Sequence, residues 1–82
     1  MDYAQYLESL VRGIVEYEDD VRVESSKDDM GILITLHVRS EDMGRIVGRM
    51  GHTAQAIRTI LRVVGMKHQA RVSVRIAEPV VE

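Results

Sequence analysis

The sequence contains no cysteine, no tryptophan, no phenylalanine and only one proline. Without cysteine the chain has no disulfide bond, no thiolate metal site and no cysteine nucleophile. No apolar run approaches the roughly 18 residues that a membrane-spanning helix needs. The first residues also lack the basic and apolar regions of a secretory signal. We therefore expect a cytoplasmic protein that does not insert into a membrane.

The length of 82 residues limits the architecture to one domain with one core. With 45% hydrophobic and 29% charged residues, the composition is that of an ordinary globular domain and not of a disordered chain. A two-domain enzyme with a cleft between its domains does not fit in this length. The sequence thus predicts a single domain over residues 1–82, with a flexible tail over 77–82, and no enzymatic activity.

Acidic residues are missing from one half of the chain. Residues 44–77 carry seven arginines and lysines and no aspartate or glutamate, a net charge of +7, while residues 1–43 carry a net charge of −7. This asymmetry favours an anionic partner for the basic half. The alternative is that the two halves form ion pairs with each other across the fold.

Hydrophobic periodicity predicts six elements in the order α-β-β-α-α-β, an α+β class. The predicted elements are a helix over residues 2–17, a strand over 21–24, a strand over 32–39, a short helix over 40–47, a longer helix from 52 or 53 to 64, and a strand over 71–76. Turn composition over 25–29 separates the first two strands. No linker, repeat or low-complexity segment is evident.

Four single residues mark the expected ends of these elements. Asp2 is placed to cap the first helix, and Ser40 supplies a hydroxyl cap for the short helix, with acids following in its first turn. Gly65 is placed as the C-terminal cap of the longer helix. Pro79 stops the last strand.

Two glycines three residues apart, Gly48 and Gly51, separate the two central helices. The second of these helices begins with unpaired backbone amides that face the loop, and such an end attracts anions. The missing Cβ atoms allow a phosphodiester chain to approach the backbone, and Arg49 adds a positive charge inside the turn. The pattern favours a small clamp for a phosphate backbone. The alternative is that both glycines serve only a tight connection between helices.

The stretch GRIVGRMGHTAQAIR, residues 44–58, resembles the signature of K-homology (KH) domains, in which an apolar pair precedes G-x-x-G. The predicted element order is similar to the type II, prokaryotic KH fold, with a three-stranded sheet packed on one side by three helices. Size and layout resemble the bacterial single-KH-domain KhpA family. The resemblance implies a cytoplasmic RNA-binding protein with RNA chaperone activity and a link to cell-shape control. It also implies a homodimer, or a heterodimer with a second KH protein, KhpB.

The resemblance further implies which residues bind RNA. The loop over 48–51 would hold the backbone of about four nucleotides, and bases would lie in an apolar groove. The implied RNA-binding residues are Gly48, Arg49, Met50, Gly51, Ile46 and Val47. Charge and position add Arg45 and His52 near the loop, and Arg58 and Arg62, which lie one turn apart with Gln55 and Thr59 on the polar face of the longer helix, where no acid is present to pair with them. Leu36, Val38 and Ala54 are expected to join Ile46 and Val47 as walls or floor of the groove. Met50 departs from the family pattern, where a polar or charged residue is common.

Other functional classes lack their motifs in this sequence. No glycine-rich loop ends in Lys-Ser or Lys-Thr, as a nucleotide triphosphatase needs, and the glycine spacing does not match a dinucleotide fold. The three tyrosines belong to the first helix or its end, so a sheet that stacks bases on aromatic rings is not expected. The three histidines lack metal-ligand spacing, and neither a metal nor a cofactor is predicted.

The leading hypothesis is therefore a binding module for single-stranded RNA, with DNA left open because no residue can be assigned to a 2′-hydroxyl contact. The alternative is a protein–protein interaction module that has the KH fold and binds little RNA by itself, using the first helix or the sheet edge. The two hypotheses differ in the expected effect of salt, since phosphate contacts weaken steeply as salt rises and apolar contacts do not.

Overall fold

The computed structural model describes residues 2–77, and their element order confirms the predicted α-β-β-α-α-β arrangement. The helices and strands are α1 (Tyr3–Arg12), β1 (Arg22–Asp28), β2 (Gly31–His37), α2 (Met43–Val47), α3 (His52–Lys67) and β3 (Val72–Ile76). Single turns of 3-10 helix at Glu18–Asp20, Ser40–Asp42 and Arg49–Gly51 connect them. The predicted stop at Pro79 and most of the predicted tail over 77–82 lie outside the described residues.

The three strands form one mixed sheet with β2 in the centre. β1 is antiparallel to β2, whereas β3 is parallel to it, because α2 and α3 carry the chain back across the sheet between them. Alternate residues of β2, such as Ile34 and Leu36, are fully buried among residues of all three helices. On the opposite face Leu33 remains 39% exposed. The three helices therefore cover one face of the sheet, as predicted.

The first helix is shorter than predicted, since α1 ends at Arg12 and not near residue 17. Its start is as expected, because Asp2 Oδ1 accepts a hydrogen bond from Gln5 N at 3.1 Å. Its end is set by Gly13, whose N–H donates to the carbonyls of the last turn. The next residues leave the helix so that Val15 can enter the core at 8% exposure. Tertiary burial thus overrides the helical spacing of the sequence.

The first strand is longer than predicted. β1 continues through the polar residues 25–28, which the sequence suggested as a turn, and pairs with β2 in unbroken register as far as Gly31. The connection is only Asp29 and Met30, and Met30 N–H donates to Asp28 Oδ1 at 2.7 Å. The part of an edge strand that extends beyond the core shows no alternation of apolar and polar residues. Its length therefore cannot be predicted from hydrophobic periodicity.

The longer helix also continues past its expected cap. α3 runs to Lys67, and Gly65 lies buried inside it. A Cβ at Gly65 would lie 2.7 Å from both Ala70 O and Val72 Cγ2, so this glycine allows β3 to approach α3 closely. The chain reverses after the helix at Gln69, which has φ +57°. Gly65 is therefore a packing residue and not a helix cap.

The start of α2 differs from prediction in its hydrogen bonds. The Ser40 hydroxyl donates to Glu41 Oε1 at 2.7 Å and caps no helix. Asp42, predicted as an acid of the first turn, is only 1% exposed. Its two carboxylate oxygens accept hydrogen bonds from Glu16 N and Tyr17 N, each at 3.0 Å. Asp42 thus connects the start of α2 to the segment that follows α1.

Candidate functional site

The loop between α2 and α3 has an unusual backbone. Gly48, Met50 and Gly51 adopt φ values of +73°, +56° and +78°, so three of its four residues lie on the left-handed side of backbone space. Only glycine enters this region without steric cost, and Met50 does so as an ordinary residue. The Met50 side chain is 87% exposed, and Arg49 beside it is exposed as well. The loop therefore projects a thioether and a guanidinium into solvent from a tightly turned backbone.

The two glycines of this loop are required for different reasons. A Cβ on Gly48 would lie 2.7 Å from Thr53 Cβ and 2.9 Å from Thr53 N, which no rotation of the threonine side chain can relieve. A Cβ on Gly51 would meet nothing within 4 Å. Gly48 thus allows α3 to begin directly against the end of α2. Gly51 leaves the surface of the turn open to an approaching ligand.

The first turn of α3 can receive an anion. Gly51 precedes the helix without a side-chain cap, and no acidic residue lies in the first turn. The amides of a helical first turn lack partners within the helix and carry its partial positive charge. His52 N–H reaches back to Arg49 O, so the amides that follow it are the free ones. His52 itself is exposed at this end of the helix.

A groove continues from this loop between α3 and the edge of β3. Polar side chains at helical spacing form one wall, and residues of β3 form the other, around a cavity of about 200 Å³. The groove is lined by Gln55, Arg58, Thr59, Arg62, Val72, Ser73 and Val74. Arg58 Nε donates to Val74 O at 3.4 Å across it. The sequence placed these polar residues on one helix face but gave no sign that β3 lies opposite.

The wall formed by β3 is a free strand edge. Arg71 O and Ala77 N both bond to β2. Because alternate residues of a strand direct their backbone groups in opposite directions, Val72 and Val74 present their N–H and C=O groups to the groove. These groups are donors and acceptors in fixed positions, as the edge of a nucleobase would need.

Most cations of the basic half are free of ion pairs. Arg45 lies 4.0 Å from Glu16, and both side chains are more than half exposed. Among residues 2–77 no carboxylate lies within 4 Å of Arg49, Arg58 or Arg62. Within residues 2–77, pairing between the two halves of the chain, the alternative explanation of the charge asymmetry, is thus confined to one exposed contact. The loop and the groove keep their positive charge.

The acidic half neutralises its own arginine. Arg39 Nε lies 2.7 Å from Glu41 Oε2, and its guanidinium carbon lies 4.1 Å from the centre of the Tyr17 ring. The hydrogen bond to Glu41 and the charge of that carboxylate raise the pKa of Arg39. The Ser40 hydroxyl, and then Arg39, lower the pKa of Glu41. Arg39 is therefore engaged with acids and does not extend the basic surface.

The structure separates the predicted site residues into three groups. The loop residues and His52 lie together, Arg58 and Arg62 line the groove, and Arg45 and Val47 are exposed on α2. Ile46 is fully buried, so any part it plays in binding is through the position of the loop and not through contact. The expected groove residues Leu36, Val38 and Ala54 are buried in the core at 0–9% exposure, and that expectation was wrong.

The reason for this error is the position of the strands. Leu36 belongs to β2, which is the central strand and lies beneath the helices, whereas the groove opens at the edge strand β3. Sequence reasoning missed Gln55, Thr59 and Ser73 as lining residues for the same reason. Their polar helix face was visible in the spacing, but strand order is not encoded in any local pattern.

Neither a membrane span nor a metal cluster is found in the described part of the chain. No helix within residues 2–77 has both the length and the apolar character to cross a bilayer. Over the same residues, no group of three metal-ligating side chains comes together.

Comparisons with known proteins agree with this geometry. Residues 4–76 match the family model described as the KH domain of KhpA and KhpB. The RNA-binding protein KhpA of Clostridium acetobutylicum is 36% identical over 72 residues, which cover 88% of this chain and 96% of the relative. The protein of the same name from Leifsonia xyli is 39% identical and covers 87% and 93%. That of Mycobacterium bovis is 44% identical and covers 72% and 74%.

Proposed function

Because the chain belongs to the KhpA/KhpB family of KH domains, we propose that it is a module that binds single-stranded RNA. Its element order and mixed sheet are those of the predicted type II KH fold. The family assignment also supports the prediction that the chain is not an enzyme. In the proposed function the loop over residues 48–51 holds the nucleic-acid backbone, and the groove between α3 and β3 receives the bases.

The observation that carries the proposal is the loop itself. Its left-handed backbone, the open surface at Gly51 and the uncapped start of α3 bring amides and one guanidinium to a single exposed turn. A phosphodiester can approach such a turn without meeting a Cβ or a carboxylate. Arg49 would contact a phosphate, and Met50 would lie against a sugar or base. Gly48 holds the turn in position.

The groove offers what unstacked bases need. Val72 and Val74 present backbone donors and acceptors at the free edge of β3, and Arg58 and Arg62 supply positive charge along the opposite wall. Proteins commonly recognise single-stranded RNA through hydrogen bonds to the edges of unstacked bases, and backbone groups of this kind can make such bonds. Arg58, now bonded to Val74 O, would turn to a phosphate when RNA enters. Arg45, Val47 and His52 would contact the strand near the loop.

One domain covers about four nucleotides and should bind weakly, with a dissociation constant on the order of 10⁻⁴ to 10⁻⁶ M at physiological salt. Three or four phosphate contacts on a single strand imply a slope of about −2 to −3 in a plot of log affinity against log salt. A protein contact made by apolar side chains should change little over the same salt series.

The proposal is tested by the double substitution Arg49→Asp/Met50→Asp. We expect RNA affinity to fall at least about tenfold, because the loop loses its only side-chain charge and gains two carboxylates that repel phosphate. Binding of a fluorescent single-stranded RNA pool is measured by anisotropy over a salt series. Aspartate tolerates the left-handed φ of residue 50 better than most residues, so the fold should survive, which circular dichroism checks.

A matched control is available on β1, the edge strand on the opposite side of the sheet from β3. Arg22→Asp/Ser26→Asp replaces two exposed residues and changes the net charge by the same amount, and the central strand β2 separates it from the groove. Equal loss in both double variants would mean that only overall charge matters. Full RNA binding by the folded loop variant would show that the glycines serve the connection between helices alone.

The cellular roles follow from family resemblance only. We propose RNA chaperone or post-transcriptional regulatory activity, linked to cell shape, in the cytoplasm. A second KH protein of the KhpB type is the proposed protein partner, with a homodimer as the alternative. Either form of pairing would raise the apparent RNA affinity through effective concentration.

One observation favours a protein contact. Ile60 and Val63, on a face of α3 turned away from the groove, are 38% and 56% exposed. This pair of apolar side chains lies on α3, whereas the alternative hypothesis named the first helix or the sheet edge. Apolar side chains form the buried core of protein interfaces.

The substitution Val63→Asp tests this contact. If α3 pairs with a second copy, the sedimentation coefficient at about 100 µM protein should fall to that of a monomer, since a buried unpaired carboxylate is costly. Met30→Asp, which changes another exposed apolar residue, on the hairpin, should leave the sedimentation coefficient unchanged. Identical sedimentation of the wild type and both variants would remove α3 as a self-association surface.

A further inference from the structure

The groove between α3 and β3 does not end at Arg62. A second, larger cavity of about 550 Å³ adjoins it at the far end of α3, away from the glycine loop. It is lined by Arg62, Met66, Gln69, Ala70, Arg71, Val72 and Ser73. Its volume lies in the range of small-ligand sites, and the Met66 side chain beside it is 67% exposed. The proposed four-nucleotide contact leaves this cavity unused.

The two cavities are adjacent. Arg62, Val72 and Ser73 line both of them, so a strand leaving the first groove would pass directly into the second. Met66 lies four residues beyond Arg62 on α3, which is about 6 Å along the helix axis. A step of that size suits one further nucleotide of an extended strand.

The residues that line the distal cavity indicate which kind of ligand it can bind. Met66, Ala70 and Val72 supply an apolar surface, and Arg62 and Arg71 stand on either side of it. No acidic residue lines the cavity, and within residues 2–77 neither arginine has a carboxylate within 4 Å. An apolar floor between two free guanidinium groups fits a planar base attached to a phosphate, since guanidinium planes stack on bases and also bind phosphate oxygens.

We infer that this distal cavity binds the base of one additional nucleotide of the same RNA strand, so that the domain covers five nucleotides and not four. The inference rests on the proposed function, because the strand must first lie in the groove. The base packs against Met66 and Ala70, and Arg71 contacts its phosphate. The Gln69 side chain at the rim is placed to hydrogen-bond the base edge.

Oligonucleotide length provides the test. Fluorescence anisotropy compares the binding of random-sequence RNAs of four and of five nucleotides. A third probe is a five-nucleotide RNA that lacks one terminal base, made in two versions, one without the 5′ base and one without the 3′ base. We expect the complete five-nucleotide RNA to bind about 5- to 10-fold more tightly than the four-nucleotide RNA, beyond the gain from having two binding registers. The probe without the terminal base should lose most of this gain.

The substitution Met66→Ala assigns the gain to the cavity. The exposed methionine can be shortened in a helix without loss of fold, and the advantage of the fifth nucleotide should shrink to about twofold or less. Ile60→Ala, which shortens an exposed apolar residue of α3 that lines neither cavity, should retain the full advantage.

Results that contradict the fifth-nucleotide site can be told apart from results that contradict RNA binding itself. If four nucleotides bind and the fifth adds nothing, or if its gain survives loss of the base or Met66→Ala, the distal cavity is not a base site. If neither length binds, RNA binding by the groove fails and this inference fails with it.

Discussion

The substitution Gly48→Ala is expected to lower the free energy of unfolding by about 3–5 kcal/mol, the largest effect of any single change in the loop. Gly48 combines φ +73° with ψ 178°, a region that is almost closed to residues with a Cβ. The added methyl group would also press against the backbone and side chain of Thr53. The added Cβ atom causes both the backbone strain at residue 48 and the overlap with Thr53, so both costs apply to this substitution.

This loss is a large share of the stability of the domain, since a chain of 82 residues is typically stable by about 4–12 kcal/mol. Urea unfolding followed by circular dichroism measures it. RNA binding should fall in parallel, because α3 could no longer begin directly against the end of α2.

Two other glycines serve as graded controls for Gly48. Gly51→Ala should cost only about 1–2 kcal/mol, because residue 51 has φ +78° but open space around it. Gly44 lies inside α2, and a Cβ added there would meet no atom within 4 Å. Gly44→Ala should therefore raise the free energy of unfolding by about 0.5–1 kcal/mol, because alanine has the higher helix propensity. A loss below about 1 kcal/mol for Gly48→Ala would mean that the turn relaxes freely, which the contact with Thr53 argues against.

The order of elements could be read from the sequence because each has a strong local signal. The alternation of β2 and the helical spacing of α3 are caused by burial of one face, and burial of one face leaves a period in the sequence. The connection between the two central helices was also located from the sequence, because Gly48 and Gly51 interrupt the helical pattern there.

The boundaries failed wherever a distant contact decides them. α1 stops at Arg12 because Val15 is needed in the core, although Gly13 was a local sign that could have been used. Gly65 has the composition of a helix cap, yet it lies inside α3 because Val72 packs against it. In each case the deciding atom lies on another element, so no local pattern contains it.

The groove could likewise be predicted only in part from the sequence. Its basic residues, Arg58 and Arg62, were identified from charge and helix spacing. Its second wall was placed on β2, because the sequence does not say which strand is central and which is at the edge. The parallel return of β3 is a consequence of the whole fold, and it places the free backbone groups of β3 along the groove.

The buried carboxylate of Asp42 provides the second large effect. The substitution Asp42→Ala should lower the free energy of unfolding by about 2–4 kcal/mol, since two charge-assisted hydrogen bonds are lost and two backbone N–H groups remain without partners. These groups belong to Glu16 and Tyr17, each 3.0 Å from a carboxylate oxygen. Thermal unfolding should show a decrease of the midpoint by about 8–25 °C for a domain of this size.

Two variants separate this role from simple loss of charge. Asp42→Asn keeps the shape and one acceptor oxygen, so about half of the loss should remain. Glu41→Ala removes the neighbouring acid, which is exposed and pairs with Arg39 and Ser40, and should leave the free energy of unfolding close to that of the wild type. Equal effects of Asp42→Ala and Glu41→Ala would show that the buried contacts contribute nothing specific.

The position of Asp42 gives the experiment a functional consequence. α2 begins at the next residue and ends at Gly48, so the hydrogen bonds of Asp42 hold one end of the helix whose other end carries the loop. At temperatures where Asp42→Asn is still folded, we expect RNA affinity to fall about two- to fivefold with an unchanged salt slope, because the phosphate contacts are intact but less well positioned. A changed slope would instead mean that Asp42 alters the number of phosphates bound, and that the helix is not what positions the loop.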